Sequence, residues 1–146
     1  MFTIRPFRQE DQKPTRRLIL KSLGEHFGYI DMSLNPDLNS IWDSYIIQGH
    51  LFFVAETETG IVGTGGLVVR NFDLGQIVRL SVAPEMRRVG LGKAIVDHII
   101  EHGKKQNIER FTVETNSNWY DAIRLYQRCG FEEIDRDELS VYLSLN

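Results

Sequence analysis

Apolar positions along the chain change their period several times, and each change marks an element. TIRPF (3–7) alternates and predicts a short strand closed by Pro6. Asp11 follows as a cap for a helix running to about Leu23, with Pro14 in its first turn and Gly24 at its end. Residues 25–39, EHFGYIDMSLNPDLN, have no period and several turn formers, which predicts an irregular loop. SIWDSYII (40–47) reads as a short helix with Ile41, Trp42, Tyr45 and Ile46 on its apolar side. LFFVAET (51–57) and GIVGTGGLVV (60–69) flank an ETG turn and predict a hairpin, and QIVRLSVAP (76–84) is a strand stopped by Pro84.

Beyond that strand the period lengthens. Leu91, Ala94, Ile95, His98 and Ile99 share one helical face over 91–104, the spacing of a helix packed on a sheet. IERFTVET (108–115) is a further strand, and YDAIRLYQRCG a second packed helix whose stripe is Ala122, Leu125, Tyr126 and Cys129, ended by Gly130. FEEIDRDELSVYLSL supplies two last strands. About six to seven strands and about four helices in this order predict one α/β (α+β) domain over residues 1–146, built on a mixed sheet. No repeat, low-complexity run or linker marks a second domain.

Composition narrows the class without naming a chemistry. The 146 residues are 42% hydrophobic and 25% charged, as in an ordinary globular protein that can bury a core. With 17 basic and 20 acidic residues the net charge is −3, which gives no general attraction for nucleic acid or an anionic membrane. Cys129, the single cysteine, cannot form an intrachain disulfide, and no Cys/His spacing resembles a zinc site, so no metal is expected. No apolar run is long enough to span a bilayer. These features together predict a cytoplasmic protein.

Against that background, RRVGLG (87–92) stands out. Two arginines and two glycines lie at the mouth of the helix that starts near Leu91. A helix start presents unpaired N–H groups and the positive end of the dipole, and glycine lets a ligand approach that backbone, so the stretch suits a phosphate or, equally, a tight turn. Two phosphate readings fail on sequence. Lys93 is followed by Ala94, where a magnesium-binding loop needs Ser or Thr, and Ile95 stands where a dinucleotide fingerprint needs its third glycine.

Arg87, Gly90 and Gly92 match the Arg/Gln-x-x-Gly-x-Gly/Ala signature of GNAT-type N-acetyltransferases. The preceding LSVAPEMR and the later AIRLYQRCGF (122–131) resemble that family's strand approach and its Ala-x-x-Leu-Tyr-x-x-x-Gly-Phe segment. The resemblance is strongest over 76–131 and extends to the element order of the whole chain. It implies the GNAT fold, with a mostly antiparallel sheet, and acetyl-CoA as cosubstrate. The pyrophosphate would lie on the backbone of Arg88, Val89, Gly90, Leu91, Gly92 and Lys93 beside Arg87, where a side chain at Gly90 or Gly92 would intrude. The pantetheine arm would pair with the backbone of Leu80, Ser81 and Val82. Tyr126 would act as the acid toward the departing thiolate, unless it only packs with the apolar stripe. Asn118 lies one residue off the family's usual CoA-contacting asparagine, where Trp119 stands; Trp119 and Tyr120 could line the site or shield the helix start.

The general base is the gap in the pattern. The resemblance places Gln76 where many relatives carry glutamate, and an amide cannot take the proton. Glu114, at the end of strand 108–115, is one substitute, directly or through water, and Glu56 a lesser one. Neutralising a lysine-like amine of pKa about 10.4 at pH 7 costs about 4.6 kcal/mol, against about 1 kcal/mol for an α-amine near 7.8, so an α-amine could manage with water alone. Family architecture puts the acceptor wall in residues 25–45, where Glu25, His26, Tyr29, Asp31, Asp37, Trp42, Asp43 and Tyr45 would favour a cationic amine unless they are merely solvated.

Three other features are read as structural. His98 is a packed helix residue and His102 a helix-end residue; Cys129 is an inert thiol; and EEIDRDE (132–138) is a solvated hairpin surface. The resulting expectation is an acetyl-CoA-dependent N-acetyltransferase acting on a primary amine of a small molecule, peptide N-terminus or protein lysine. The alternative is an acyl-CoA sensor without turnover, motivated by Gln76. The resemblance also implies that VYLSLN could pair two chains as a homodimer, although a covered sheet edge would look the same.

Overall fold

In the computed structural model, which describes residues 1–27 and 35–146, the sheet grows around the expected hairpin. Its strands are β1 (Thr3–Pro6), β2 (Leu51–Thr57), β3 (Gly60–Asn71), β4 (Leu74–Val82), β5 (Arg110–Asn116), β6 (Glu132–Arg136) and β7 (Ser140–Leu145). Their spatial order is β1-β2-β3-β4-β5-β7-β6. Every neighbouring pair is antiparallel except β4 with β5. The crossover between those two carries α2 (Leu91–Lys105), as a parallel pair requires. The chain also forms α1 (Gln12–Phe27) and α3 (Tyr120–Arg128).

Alternation in β2 separates the two cores. Phe53 and Ala55 belong to one buried cluster with Leu91, Ile95 and Ile99 of α2, whereas Phe52 and Val54 belong to another with Ile19 and Leu20 of α1. Successive strand residues point to opposite faces, so α1 covers one face of the sheet and α2 the other. Gly63 and Gly65 of β3 let α2 lie close: a Cβ at either would come within 2.8 and 2.7 Å of the Ile95 side chain.

Several boundaries differ from the sequence expectation. Gly24 does not end α1, which continues to Phe27; helix packing on β3 and β4 outweighs the small propensity cost of one glycine. Asp11 does not cap α1 either. It lies in a 3-10 turn over Gln9–Asp11, accepts the Arg8 N–H at 2.8 Å, and holds Arg5 at 2.7 and 2.9 Å. Part of the expected 25–39 loop is ordered into helix, at 25–27, and into a 3-10 turn over Pro36–Asn39. The short helix after it is a π-type turn over Trp42–Ile46, with Ile41 and Tyr45 buried. In α3 the buried stripe runs through Ile123 and Tyr126, with Ala122, Leu125 and Cys129 half-buried. The acidic segment before β7 is exposed along all of β6. Among the described residues, no helix is long and apolar enough to cross a membrane.

Candidate active site

Among the described residues, β4 and β5 pair through only three positions, Leu74 with Arg110, Gly75 with Phe111 and Gln76 with Thr112. Beyond them the strands splay, and the gap is a cleft of about 230 Å³. Leu80 and Ser81 line it from β4, Glu114 and Thr115 from β5, Ile19, Ser22 and Leu23 from α1, and Trp119, Ala122 and Tyr126 from α3 and its approach. The cleft therefore reaches both faces of the sheet. Phe111 and Val113 point into the α2-side core, so Glu114, one residue out of phase, faces the α1 side. Tyr126 approaches from the α2-side core.

A bulge shapes the β4 wall. Gly66 pairs with Val78 and Thr64 with Ser81, so Arg79 and Leu80 together oppose Gly65. Arg79 takes up the extra residue in the left-handed region, φ 55°. For a side chain with a Cβ that backbone costs about 1–2 kcal/mol and must be held by its surroundings. The holding is visible. The Arg79 carbonyl accepts from Thr64 Oγ1 at 2.8 Å, its Nε and Nη2 donate to both Asp37 oxygens at 3.0 and 2.7 Å, and Nη2 also reaches Asn35. Tyr45 donates to the same Asp37 carboxylate at 2.5 Å. Burial alone would raise the Asp37 carboxyl, but the bonds from Arg79 and Tyr45 and the guanidinium charge outweigh it and hold the carboxyl below its ordinary value. Burial and the bond to Asp37 push the Tyr45 phenol up to about 12.

At the open end of β4, a 3-10 turn over Pro84–Met86 leads into the glycine loop. Arg88 (φ 65°) and Gly90 (φ 85°) are both left-handed, and Gly90 is the residue from which α2 starts. The two glycines have different reasons to be there. A Cβ at Gly90 would meet nothing within 4 Å, so its backbone angle is what demands glycine; at Gly92 a Cβ would come within 3.0 Å of Leu125. At Gly92, close packing of α2 on α3 is by itself enough to require glycine. Arg87 pairs with Glu25 at 2.9 Å and donates to the Val82 carbonyl at 3.3 Å, Val89 is exposed, Leu91 is buried, and Lys93 pairs with Asp97 at 2.7 Å.

Of the residues singled out from sequence, Leu80, Ser81, Glu114, Trp119 and Tyr126 meet in the cleft, whereas Val82 lies outside its lining and Tyr120 is exposed. Tyr126 is buried and packs edge-on against Phe131 with ring centroids 5.6 Å apart. Its hydroxyl makes no hydrogen bond among the described residues, and burial, then the neighbouring Cys129, pushes the phenol well above its ordinary value. Glu114 accepts from Ser140 Oγ at 3.1 Å. Gln76 lies outside the lining, accepting from Arg70 at 2.8 Å. Glu56 is no base candidate: Arg5 holds it at 2.9 Å on the β1–β2 side of the sheet. Asn118 is exposed and outside the lining, its N–H donating to Asn116 Oδ1 at 2.9 Å. Asp37, expected to draw a cationic amine, is neutralised by Arg79. Tyr29, Asp31 and the side chain of His26 lie outside the described residues.

Sequence reasoning missed Arg79. Its one signal was a charge inside the apolar run IVRLSV, and the partner 42 residues away leaves no local trace. His98 packs as expected, against Phe53; His102 lies in the last turn of α2 as expected, and in addition stacks on His98 at 4.1 Å. Burial, then His102, lowers the His98 pKa. Cys129 is half-buried, with its thiol raised by burial.

The model of the acetyltransferase (GNAT) family matches residues 19–131. The chain belongs to this family. It is 32% identical over 123 residues to N-acetyltransferase 8B of Homo sapiens, covering 80% of this chain and 54% of that protein. It is 31% identical over 104 residues to the uncharacterized N-acetyltransferase YjgM of Escherichia coli, covering 69% and 62%. The chain thus spans less than two thirds of the length of these GNAT relatives. A GNAT-family acetyltransferase structure from Staphylococcus aureus superposes with a TM-score of 0.88 at 24% identity, covering 99% of this chain and 98% of that one. The PaiA N-acetyltransferase of Thermoplasma acidophilum, solved in complex with coenzyme A, gives 0.86 at 17% identity with the same coverage. The β4–β5 splay and the loop at its mouth are therefore set in a GNAT fold.

Proposed function

We propose that the protein transfers an acetyl group from acetyl-CoA to a primary amine by direct attack in a ternary complex. The observation that carries this is the convergence of Leu80, Ser81, Glu114 and Tyr126 on one cleft whose β4 wall leads, through the Pro84–Met86 turn, into the glycine loop. The residues fit the cosubstrate. Left-handed backbone at Arg88 and Gly90 leads at once into the α2 N-terminus, whose unpaired amides and dipole suit a phosphate, and Arg87 adds charge. The backbone of Leu80, Ser81 and Val82 would hold the pantetheine arm as an added strand, and the amides of Arg88 to Lys93 the pyrophosphate. Asn118, one residue outside the lining, is assigned at most a contact with the outer part of the cofactor.

When bound, acetyl-CoA supplies an activated thioester. Glu114, on the α1 face, takes the amine proton directly or through a water, so the acceptor enters from that face. Tyr126, on the other side, donates a hydrogen bond to the departing sulfur. Its raised pKa keeps the hydroxyl protonated but makes full proton transfer to a thiolate of pKa about 8.5 uphill by about 2 kcal/mol or more. Tyr126 thus stabilises the thiolate more than it neutralises it. Holding both substrates in the splay supplies the rest through effective concentration.

The single half-buried cysteine supports a reducing, cytoplasmic setting. VYLSLN runs along β7, which is paired with β5 on one side and β6 on the other and so offers no free edge for a second chain. The exposed Ile134 and Leu139 around the edge strand β6 support pairing of two chains there instead, which sedimentation would detect. Calorimetric titration with acetyl-CoA and desulfo-CoA tests the proposed cofactor site. A carboxylate introduced by Gly90→Glu, about 6 Å from a doubly charged pyrophosphate at an effective dielectric of about 40, opposes binding by about 2.8 kcal/mol, or roughly 100-fold. Equal affinity in wild type and variant would place the pyrophosphate elsewhere.

A further inference from the structure

The residue that absorbs the β4 bulge is an arginine rather than a glycine, and it is fastened from outside the sheet. Asp37 takes both Nε and Nη2 of Arg79, and Tyr45 closes the other side of the same carboxylate. Asp37 and Tyr45 come from the 3-10 turn and π-type turn that cover the α1 face, and Tyr45 is itself anchored against Phe52 with ring centroids 5.1 Å apart. The strained backbone lies immediately before Leu80 and Ser81, the positions assigned above to the pantetheine arm. Unclamped, an L-residue at 79 gains by relaxing toward an ordinary strand conformation, and one residue of slip in β4 reverses the facing of every side chain beyond it.

We propose that Asp37, supported by Tyr45, is a positioning residue: by clamping Arg79 in its left-handed conformation it fixes the Leu80–Ser81 backbone that holds the thioester in the cleft. This inference rests on the proposed acetyl transfer at the same site. The clamp acts through the backbone: Arg79 lines the same cleft, and its guanidinium is taken up by Asp37 and serves as a handle. It also joins the α1-side wall, where the amine enters, to the strand that holds the acetyl donor. Displacing the wall and displacing the thioester become one event.

The test exploits the tolerance of glycine for positive φ. Thiol release is measured for wild type, Asp37→Ala, Asp37→Asn, Arg79→Ala and Arg79→Gly at saturating acetyl-CoA. The acceptor is whichever of a diamine, a free α-amino acid, a lysine peptide and a peptide with a free N-terminus wild type uses fastest. Calorimetry with acetyl-CoA reports folding and cofactor affinity, and the infrared band of the bound thioester carbonyl reports its placement without any acceptor. Asp37→Ala is expected to lower kcat about ten- to a hundredfold and to shift the carbonyl band, with KM for acetyl-CoA changed less than about threefold. Asp37→Asn, which keeps one acceptor oxygen, falls between it and wild type.

The decisive comparison is at position 79. Both variants lose the ion pair, but only glycine keeps the left-handed backbone without strain, so Arg79→Gly is expected to exceed Arg79→Ala in kcat by about tenfold. If the ion pair matters only for stability, the two variants are equal or the glycine is worse, and that result overturns the inference. So does an Asp37→Ala enzyme with wild-type kcat and an unshifted carbonyl band. A wild-type protein that neither binds acetyl-CoA nor releases thiol overturns the proposed function, and the clamp's role with it.

Discussion

Replacing Tyr126 with phenylalanine removes one oxygen and leaves the ring in place. The ring is 4% exposed and packs edge-on against Phe131, contacts that phenylalanine reproduces. Among the described residues the hydroxyl has no hydrogen-bond partner, so its loss strands no buried group and should change stability by less than about 0.5 kcal/mol. In the proposed transition state the same hydroxyl faces a developing thiolate. A hydrogen bond to a charged acceptor is worth about 1.5–3 kcal/mol, which corresponds to a fall in kcat of about 10- to 150-fold. Acetyl-CoA affinity should stay within about twofold, because the ground-state thioester sulfur is a poor acceptor. Thiol release at saturating substrates, calorimetry and thermal melting on one preparation give all three values. Burial, and next Cys129, hold the phenol above its ordinary value, so Tyr126 ionisation should not weaken kcat below about pH 10. A kcat within twofold of wild type, or a fall matched by a lower Tm, would refute the role and leave Tyr126 as a packing residue.

Other consequences follow from the same geometry. Glu114→Gln should lower kcat/KM about 10- to 100-fold for a lysine-like amine and less for an α-amine, which needs less help in losing its proton; equal losses for both would remove Glu114 as the base. Gly65→Ala would set a Cβ 2.7 Å from Ile95 and 2.9 Å from Ile99, both β-branched and buried, and should cost about 1–3 kcal/mol in denaturant titrations; an unchanged midpoint would mean that α2 moves away without penalty. Asp11 feels a burial penalty, but the bonds from Arg5 and the Arg8 N–H outweigh it, and its carboxyl lies below the ordinary value. Its folded pKa is the lower one, so its contribution is present above about pH 4 and is lost as pH falls further. Asp11→Asn should destabilise by about 1–3 kcal/mol at pH 7 and flatten that acid slope, and an unchanged slope would contradict the assignment. Tyr45 has the opposite sign: its phenol is pushed up to about 12, so its contribution is present below about pH 10 and is lost as pH rises through 12, a loss that Tyr45→Phe should abolish.

Elements whose information is local were legible in the sequence. The hairpin between β2 and β3, α2 and the strand–loop–helix around RRVGLG each depend on neighbours within a few residues, and each formed where the pattern placed it, although the buried stripe of α2 is turned to Leu91, Ile95, Val96, Ile99, Ile100 and Gly103, with Ala94 and His98 half-buried. Glu114 and Tyr126, singled out through the family resemblance, line one cleft because the strand end and helix that carry them lie within a residue or two of where the pattern placed them. What escaped depends on partners distant in sequence. Gly24 reads as a stop, yet packing of α1 on β3 and β4 carries the helix past it. Asp11 reads as a cap for the helix that follows, and instead turns back to Arg5 and Arg8. Asp37 reads as an acid of the acceptor wall or a solvated one, and instead pairs with Arg79 at the β4 bulge. No propensity distinguishes an arginine that holds positive φ from one in a plain strand. The order in which β7 slips between β5 and β6 is likewise a matter of pairing that hydrophobic periods do not encode.

Acetyl transfer through the β4–β5 splay is tested most directly by incubating the purified protein with acetyl-CoA and the amine panel, following free thiol and weighing the amine by mass spectrometry. Thiol release that depends on an amine, with that amine heavier by one acetyl group and both signals lost in Gly90→Glu, is the predicted result. Tight acetyl-CoA binding with no amine modified would contradict it and leave a protein that holds the cofactor without turning it over.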